Sequence, residues 1–299
     1  MDRFYEMQTF IAVAEEEGFA AAARRMNVSP ATVTRAIASM EARIGTQLLS
    51  RTTRSLSLSD AGKRYLVDCR RILEDLQDAE QAAAGSYKAP HGNLTLTAPA
   101  VLGELLVAPL MVGYMERYPD VTINALFTDR LVSLSEEGMD IAVRVGHLRE
   151  HRRQAVKVGE ASQVICASPD YLNRVGRPRH PRELEKHKIV TSSASRLVSD
   201  WHYWMNDRIN SVEVEPQLVV SDNKVAIGIA KSGWGVTRAL SYQVADDVSA
   251  GELEIILADY QLNPVPVNII VSRIERPSKS VNTFVEHLVE GMASALASI

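Results

Sequence analysis

The chain has 299 residues, 46% hydrophobic and 23% charged, the balance of an ordinary globular protein of two or three domains. Its longest apolar stretches are strand-sized, which excludes a membrane partner. The N-terminus lacks a basic leader followed by an apolar core, so a cytoplasmic location is expected. The net charge of −4 hides an asymmetry: between Arg24 and Arg71 ten lysines and arginines face three acids, a local +7 on an otherwise acidic chain. That is the pattern of a nucleic-acid module joined to something else, although charge alone also fits a solvated basic helix face.

Phe4, Met7, Phe10, Ile11 and Ala14 recur at helical spacing, and Glu15-Glu16-Glu17-Gly18 ends that helix. A short alanine-rich helix runs from Phe19 to Met26, and Asn27-Val28 is a turn. Ser29-Pro30 then starts a third helix: the serine hydroxyl caps free amides, and proline in the first turn loses no hydrogen bond. Val33, Ile37, Met40 and Ile44 face one way, while Ala31, Thr32, Thr34, Arg35 and Ser39 form a short polar face on the other.

Helix, short turn, helix is the helix-turn-helix arrangement, whose second helix enters the DNA major groove. Ser29, Pro30, Ala31, Thr32, Thr34 and Arg35 are the candidate DNA-contacting residues there, with Arg35 suited to a bidentate contact with guanine. Leu48–Ser50 and Ser55–Leu58 read as two short strands around Arg51-Thr52-Thr53-Arg54. This is a wing whose Arg51, Thr53 and Arg54 meet phosphates or the minor groove.

Ser59-Asp60-Ala61-Gly62 starts a long helix reaching about Tyr87, with Leu66, Cys69, Ile72 or Leu73, Leu76, Ala79 and Ala83 in a stripe. Such a stripe is expected to be buried against a second copy of itself. Ala89-Pro90-His91-Gly92 marks a domain boundary.

Beyond it, strands are expected at 94–97, 121–127, 141–145, 164–167, 218–220, 235–240 and 265–271. Helices are expected at 103–117, 131–137, 223–231 and 278–296. This alternation predicts an α/β domain with mostly parallel sheets, whose ligands sit beyond the carboxyl ends of the strands. Trp201 and Trp204 fall in a stretch read as irregular, where they either line an aromatic pocket or pack a core.

The text AAAARRMNVSPATVTRAIASMEARIGTQLLSRTTRSLSLSDAG resembles the LysR-type transcriptional regulators. The resemblance rests on V-S-x-x-x-[ST]-R-x-I, I-G-x-x-L, R-T-T-R and a closing L-[ST]-x-A-G. It continues through RYPDV, GMDIAVRVG, CASPDYL, GRPRHPREL, RALSYQVADD and GELEIIL, in the order of the subgroup with an R-x-L-S-Y-Q-V segment. It implies an all-α winged helix-turn-helix (1–60), a dimerising linker helix (61–88) and an effector-binding regulatory domain (89–299) of two α/β lobes like periplasmic binding proteins. Crossovers near 160–163 and 266–268 would divide 93–161 plus 268–299 from 162–267. It further implies double-stranded DNA and a small-molecule effector as partners, a dimer or dimer of dimers, and an indirect effect on RNA polymerase.

The sequence departs from the family at several points. Glu17-Gly18-Phe19-Ala20 lacks the usual serines around the phenylalanine, and Pro30 stands where a glutamine is common. Leu49 replaces a phenylalanine, and Val101 stands where a hydroxyl often meets the effector.

The resemblance places the effector among Thr97, Val101, Thr128, Asp129, Arg144, His147, Thr191, Ser192, Ser221, Asn223, Thr237 and Arg238. Arg144 or Arg238 either forks onto a carboxylate effector or pairs with an acid such as Asp129 or Asp140. Gly233-Trp234-Gly235 is followed by Arg238 where a dinucleotide fingerprint needs glycine, and a helix precedes it, so no nicotinamide site is expected. The sequence has no nucleophile elbow, HExxH or Walker loop, so neither an enzyme nor a cofactor is expected. Cys69 and Cys166 are far apart, and loop-like Arg149-Glu150 separates His147 from His151, so neither a metal site nor a disulfide is expected.

Overall fold

A computed structural model describes residues 2–51, 56–83, 89–130, 132–134, 137–148, 155–193, 199–272 and 278–298, with the side chains of 51, 74, 78 and 81–83 also excepted. Helices α1 (Arg3–Glu15), α2 (Phe19–Arg25) and α3 (Pro30–Ile44) are followed by the antiparallel pair β1 (Leu49–Arg51) and β2 (Leu56–Leu58). Helix α4 (Asp60–Ala83) then leads out of this unit. Each boundary has a local cause. Asp2 accepts a hydrogen bond from the Phe4 amide at 3.3 Å, and Ser29 accepts one from Thr32 at 3.2 Å. Gly45, at φ 75°, ends α3 in the left-handed region.

Phe10, Val13, Val33, Ile37 and Met40 are fully buried between α1, α2 and α3. Gly62 explains the closing A-G of the motif. A Cβ there would lie 2.0 Å from the Leu48 carbonyl oxygen, so any other residue would push α4 off the β1 strand.

The first half of α4 corrects one expectation. Cys69 is fully buried, and Leu66, Ile72 and Leu73 pack on the core of the same chain rather than on a second copy. An isolated helix-turn-helix has too little core of its own, and the start of α4 completes it. Only the outer part of the stripe, from Leu76 onward, is left for a partner.

Lobe one contains β3 (Gly92–Ala98), β4 (Val121–Phe127), β5 (Ile141–Val145) and β6 (Ala155–Ala161), together with the late strand β14 (Val265–Val271). Their order is β4-β3-β5-β14-β6. Lobe two contains β7 (Gln163–Ala167), β8 (Ile189–Ser192), β11 (Pro216–Val220), β12 (Val236–Leu240) and β13 (Glu254–Ile256), in the order β11-β8-β12-β7-β13. Between β8 and β11 lies a separate hairpin of β9 (Asp200–Met205) and β10 (Arg208–Glu213). The two five-stranded sheets share one pattern: four strands run one way, and the fourth in order, β14 or β7, runs against both of its neighbours. The strands are therefore mostly parallel in direction, as expected, with β14 and β7 as the single reversed strand of each sheet.

Helical segments α5 (Ala100–Leu102) and α6 (Ala108–Arg117) flank a π-helical turn, Gly103–Val107. With α10 (Lys279–Ala297) they cover one face of lobe one, where Phe284, Leu288 and Met292 are fully buried. In lobe two, α7 (Pro169–Val175) and the hairpin pack on one face, while α8 (Asn223–Lys231) and α9 (Ser241–Ser249) pack on the other.

Two further expectations are corrected. Residues 131–137 were expected to be helical; 131, 135 and 136 lie outside the described residues, and the described ones are not helical, with turns at Leu134 and Glu137-Gly138. The cause is Gly138 at φ 64° together with a two-pronged Arg130–Glu137 ion pair, both contacts 2.7 Å. The tryptophan stretch is the β9–β10 hairpin, with Trp201 paired to Val212 and 1% exposed, and Trp204 paired to Ile209 and 38% exposed. The chain leaves lobe one between Ala161 and Gln163. It returns at Val265, so the second crossover falls slightly before the expected 266–268.

Candidate functional sites: a DNA-reading helix and a cleft between lobes

At the N-terminal end of α3, Ser29, Pro30, Ala31, Thr34 and Arg35 are exposed and Thr32 is half-buried. Ser29 and Thr32 satisfy each other, with their hydroxyls 2.8 Å apart. Thr34 donates its hydroxyl to the Pro30 carbonyl at 2.9 Å, and Arg35 makes only a long 3.4 Å contact to the Ala31 carbonyl. Arg35 forms no ion pair among the described residues, so its guanidinium projects with its donors available. Thr53 and Arg54 lie outside the described residues, as does the Arg51 side chain. The Arg51 backbone pairs with Leu56.

Ser39 does not belong to this outward face. It donates to buried Glu6 at 2.7 Å, and Arg43 holds the same carboxylate at 2.6 Å. Burial alone would raise the Glu6 pKa, but the hydrogen bonds from Ser39 and Arg43 outweigh it and hold the group ionised. This buried pair fixes α3 on α1 and thereby aims the reading face. Glu15 does the same for the neighbouring elements, gripping Arg25 at 2.6 Å and Arg70 of α4 at 2.8 Å.

The candidate effector residues divide sharply. On β3 and β5, Thr97 is fully buried and Arg144 half-buried, with the Arg144 Nη2 3.5 Å from the Thr97 hydroxyl. The Arg144 Nη1 donates to its neighbour's carbonyl, that of Val143, at 3.1 Å. Asn268, opposite Arg144 on β14, is buried and donates to the Gly146 carbonyl at 3.3 Å. Among the nearby acids, Asp140 accepts from the Thr95 amide at 2.9 Å, Asp129 accepts from the Ala100 amide at 3.2 Å, and the Arg144 charge helps lower the Glu137 pKa. Thr128 is half-buried, and Asp129 and His147 are exposed at the same strand-end edge.

From lobe two, Thr191 and Ser192 end β8 and are buried, while Ser221 is exposed and Asn223 half-buried at the start of α8. The lobes touch through Lys224 and Glu104, 2.6 Å apart, and through Tyr242 of α9, which inserts into lobe one's core. At the crossover the Ser241 amide donates to the Ser162 carbonyl at 2.8 Å.

Three predicted site residues are placed elsewhere. Val101 is 7% exposed within lobe one's core, so it supplies little wall to a ligand. Thr237 and Arg238 are neighbours on one strand and therefore point to opposite faces of the sheet. Thr237 is fully buried on the α8 side. Arg238 turns under the hairpin, its guanidinium 5.2 Å from the centre of the Trp201 ring. Neither is presented with Arg144.

Comparison with known proteins agrees with this architecture. The family model described as "Bacterial regulatory helix-turn-helix protein, lysR family" matches residues 4–63, and "LysR substrate binding domain" matches residues 88–293. The chain belongs to the LysR family. It is 30% identical over 94% of its length to an HTH-type transcriptional regulator from Xanthomonas campestris pv. campestris, covering 83% of that protein. It is 27% identical over 97% of its length to the HTH-type transcriptional activator AaeR of Escherichia coli, covering 94% of it. The structure of CrgA, a LysR-type transcriptional regulator from Neisseria meningitidis, aligns with a TM-score of 0.63 at 26% identity, covering 96% of this chain and 98% of that one.

This LysR-type protein is a DNA-binding transcriptional regulator with a substrate-binding effector domain. Sequence reasoning missed the residues that connect its parts: Glu6, Asn268, the Lys224–Glu104 bridge and Tyr242. Each acts through a long-range contact that local sequence does not reveal, even for Tyr242, which sits within the R-x-L-S-Y-Q-V segment. No described helix is long and apolar enough to cross a membrane.

Proposed function

We propose that this LysR-type regulator binds a small carboxylate effector in the cleft between its lobes and reads DNA with the outward face of α3. It works in the cytoplasm as a homodimer or dimer of dimers, without a cofactor or catalytic activity of its own, and affects RNA polymerase only indirectly. The observation that carries the effector class is the half-buried Arg144 guanidinium beside the Thr97 hydroxyl at the strand-end edge. A guanidinium fork with an adjacent hydroxyl suits a carboxylate. Base contacts fall to Ala31, Thr34 and Arg35, because the Ser29 and Thr32 hydroxyls already satisfy each other.

The lobes and the DNA-binding unit also meet directly. A Cβ on Gly138, in the turn beneath lobe one's sheet, would lie 2.5 Å from Val67 of α4. The Thr95 hydroxyl lies 2.8 Å from the Gly138 carbonyl, so this turn is tied to the strand that carries Thr97. A shift of that strand on effector binding is thus passed to the linker helix, changing the spacing of the DNA-binding units and the bend of the DNA.

The test is a thermal-shift panel of small mono- and dicarboxylates on the full chain, repeated with Arg144→Ala. Stabilisation by at least one carboxylate that vanishes in Arg144→Ala supports the reading. Stabilisation that persists in the variant overturns the assignment of Arg144. A DNA footprint that the same carboxylate leaves unchanged overturns the coupling.

A further inference from the structure

Lobe two carries a groove of about 380 Å³, a size common for small-molecule pockets. Leu184 and Glu185 line it from the 3-10 turn Pro181–Lys186, His187 follows directly, and Glu213, Glu215 and Gln217 complete it from the end of β10 and the start of β11. His187 precedes β8 and Gln217 opens β11, so the groove lies at the amino ends of these strands. Thr191 and Ser192, the candidate cleft residues, lie at the opposite end of β8. Val212 and Val214 are buried while Glu213, Glu215 and Gln217 are exposed, an alternation that turns all three toward one side.

The charge here is one-sided. Glu185, Glu213 and Glu215 form no ion pair or side-chain hydrogen bond among the described residues, and no lysine or arginine lines the groove. Lys186, next to His187, is exposed and outside the lining. Three carboxylates alone would be a solvated acidic surface, but His187 adds a second and independent feature. It is only 7% exposed, and its Nδ1 lies 3.3 Å from the Tyr171 hydroxyl. That hydroxyl already accepts the Lys188 amide at 2.9 Å, so its own proton goes to Nδ1. Burial lowers the His187 pKa and keeps the ring neutral, which leaves its proton on Nε2. This Nε2–H has no acceptor among the described residues. Gln217 supplies another donor: its Oε1 accepts the Ile189 amide at 2.7 Å, and its amide nitrogen is left for the groove.

We propose that this groove is a second ligand site for a small organic cation bearing both an ammonium group and a neutral hydroxyl oxygen, an amino alcohol or an amino sugar. The glutamates hold the ammonium, and His187 Nε2–H donates to the hydroxyl oxygen. A bare metal ion does not suit it, because the described acids and histidines form no cluster able to hold one. An amino acid does not suit it either, since its carboxylate would face three like charges. The site uses no residue of lobe one, so it stands or falls independently of Arg144.

The experiment titrates ethanolamine and glucosamine separately into the full chain, without DNA, at constant ionic strength and mildly acidic pH. Propylamine, N-acetylglucosamine and glycine serve as controls. Saturable binding by calorimetry, with a rise in Tm, is expected from at least one of the two hydroxylated amines. Saturation by ethanolamine assigns an amino alcohol, and saturation by glucosamine alone assigns an amino sugar. Binding should be about ten-fold weaker or absent when Glu213→Gln and Glu215→Gln are combined, and unchanged in Arg144→Ala. His187→Phe should erase the preference for ethanolamine over propylamine. A response to neither amine, an equal response to propylamine in the wild type, or one that survives the double glutamate substitution overturns the proposal. Those two glutamates are exposed and unpaired, so the double variant keeps the test decisive if His187→Phe fails to fold.

Discussion

The middle strands of the two sheets, β5 and β12, each carry one arginine on the face turned away from the principal helices, yet the two are used differently. In lobe one Leu134 and Met139 pack on that face, and Arg144 is half-buried beside Thr97. In lobe two the same face is roofed by the β9–β10 hairpin, and Arg238 is stacked on Trp201 inside the core. The same sheet order thus leaves one half-buried arginine beside a threonine hydroxyl and packs the other against an aromatic ring under a hairpin. What covers the sheet, rather than the sheet itself, sets the surroundings of each arginine.

The largest expected effect separates the two roofs. Trp201→Ala removes a fully buried aromatic from lobe two and is expected to cost about 3–5 kcal/mol in denaturant unfolding. Arg144→Ala should change stability by less than about 0.5 kcal/mol while abolishing the carboxylate response. A comparable loss of stability in Arg144→Ala would show that the two arginines are both structural.

Gly138→Ala comes next. It places a Cβ at φ 64° and against Val67, with an expected loss of about 1–3 kcal/mol. Its diagnostic reading is a weakened link between effector and DNA affinity, with carboxylate affinity itself retained.

Arg238→Met removes a buried cation and is expected to leave Tm unchanged or slightly raised at neutral pH. The sign with pH follows from the lowered pKa. The unfolded chain holds the Arg238 proton more tightly, so the wild type gains stability from this group as pH rises above about 10. The difference in Tm between Arg238→Met and wild type should therefore shrink above pH 10 in paired thermal melts.

The smallest effect is that of Lys224→Ala, which opens the exposed bridge to Glu104. A change of at most about 1 kcal/mol, lost in high salt, is expected.

The parts of this molecule legible in the sequence were those written in consecutive residues. The cap at Ser29-Pro30, the buried stripe of α3, and strands 121–127, 141–145 and 265–271 all read directly, because each signal is local. The hairpin was missed although Asn206-Asp207, both at φ 55°, is a two-residue turn chemistry that favours such a hairpin. The flanking tryptophans drew attention to pockets instead. Residues 131–137 misled in the other direction: their apolar spacing suits a helix, but the Arg130–Glu137 fork and Gly138 close a turn. Among the candidate effector residues, proximity in sequence hid opposition in space. Thr237 and Arg238 read as one site, and strand alternation alone could have parted them. The Glu6 and Asn268 contacts depend on tertiary placement and left no local trace.

The most direct test of the account is binding of the purified full chain to its own upstream intergenic DNA across a salt series, with Arg35→Ala and Arg144→Ala alongside. The account predicts affinity that falls steeply with salt, a preference over random DNA that Arg35→Ala loses, and unchanged DNA affinity in Arg144→Ala. A preference that survives in Arg35→Ala would contradict the assignment of α3 as the reading helix.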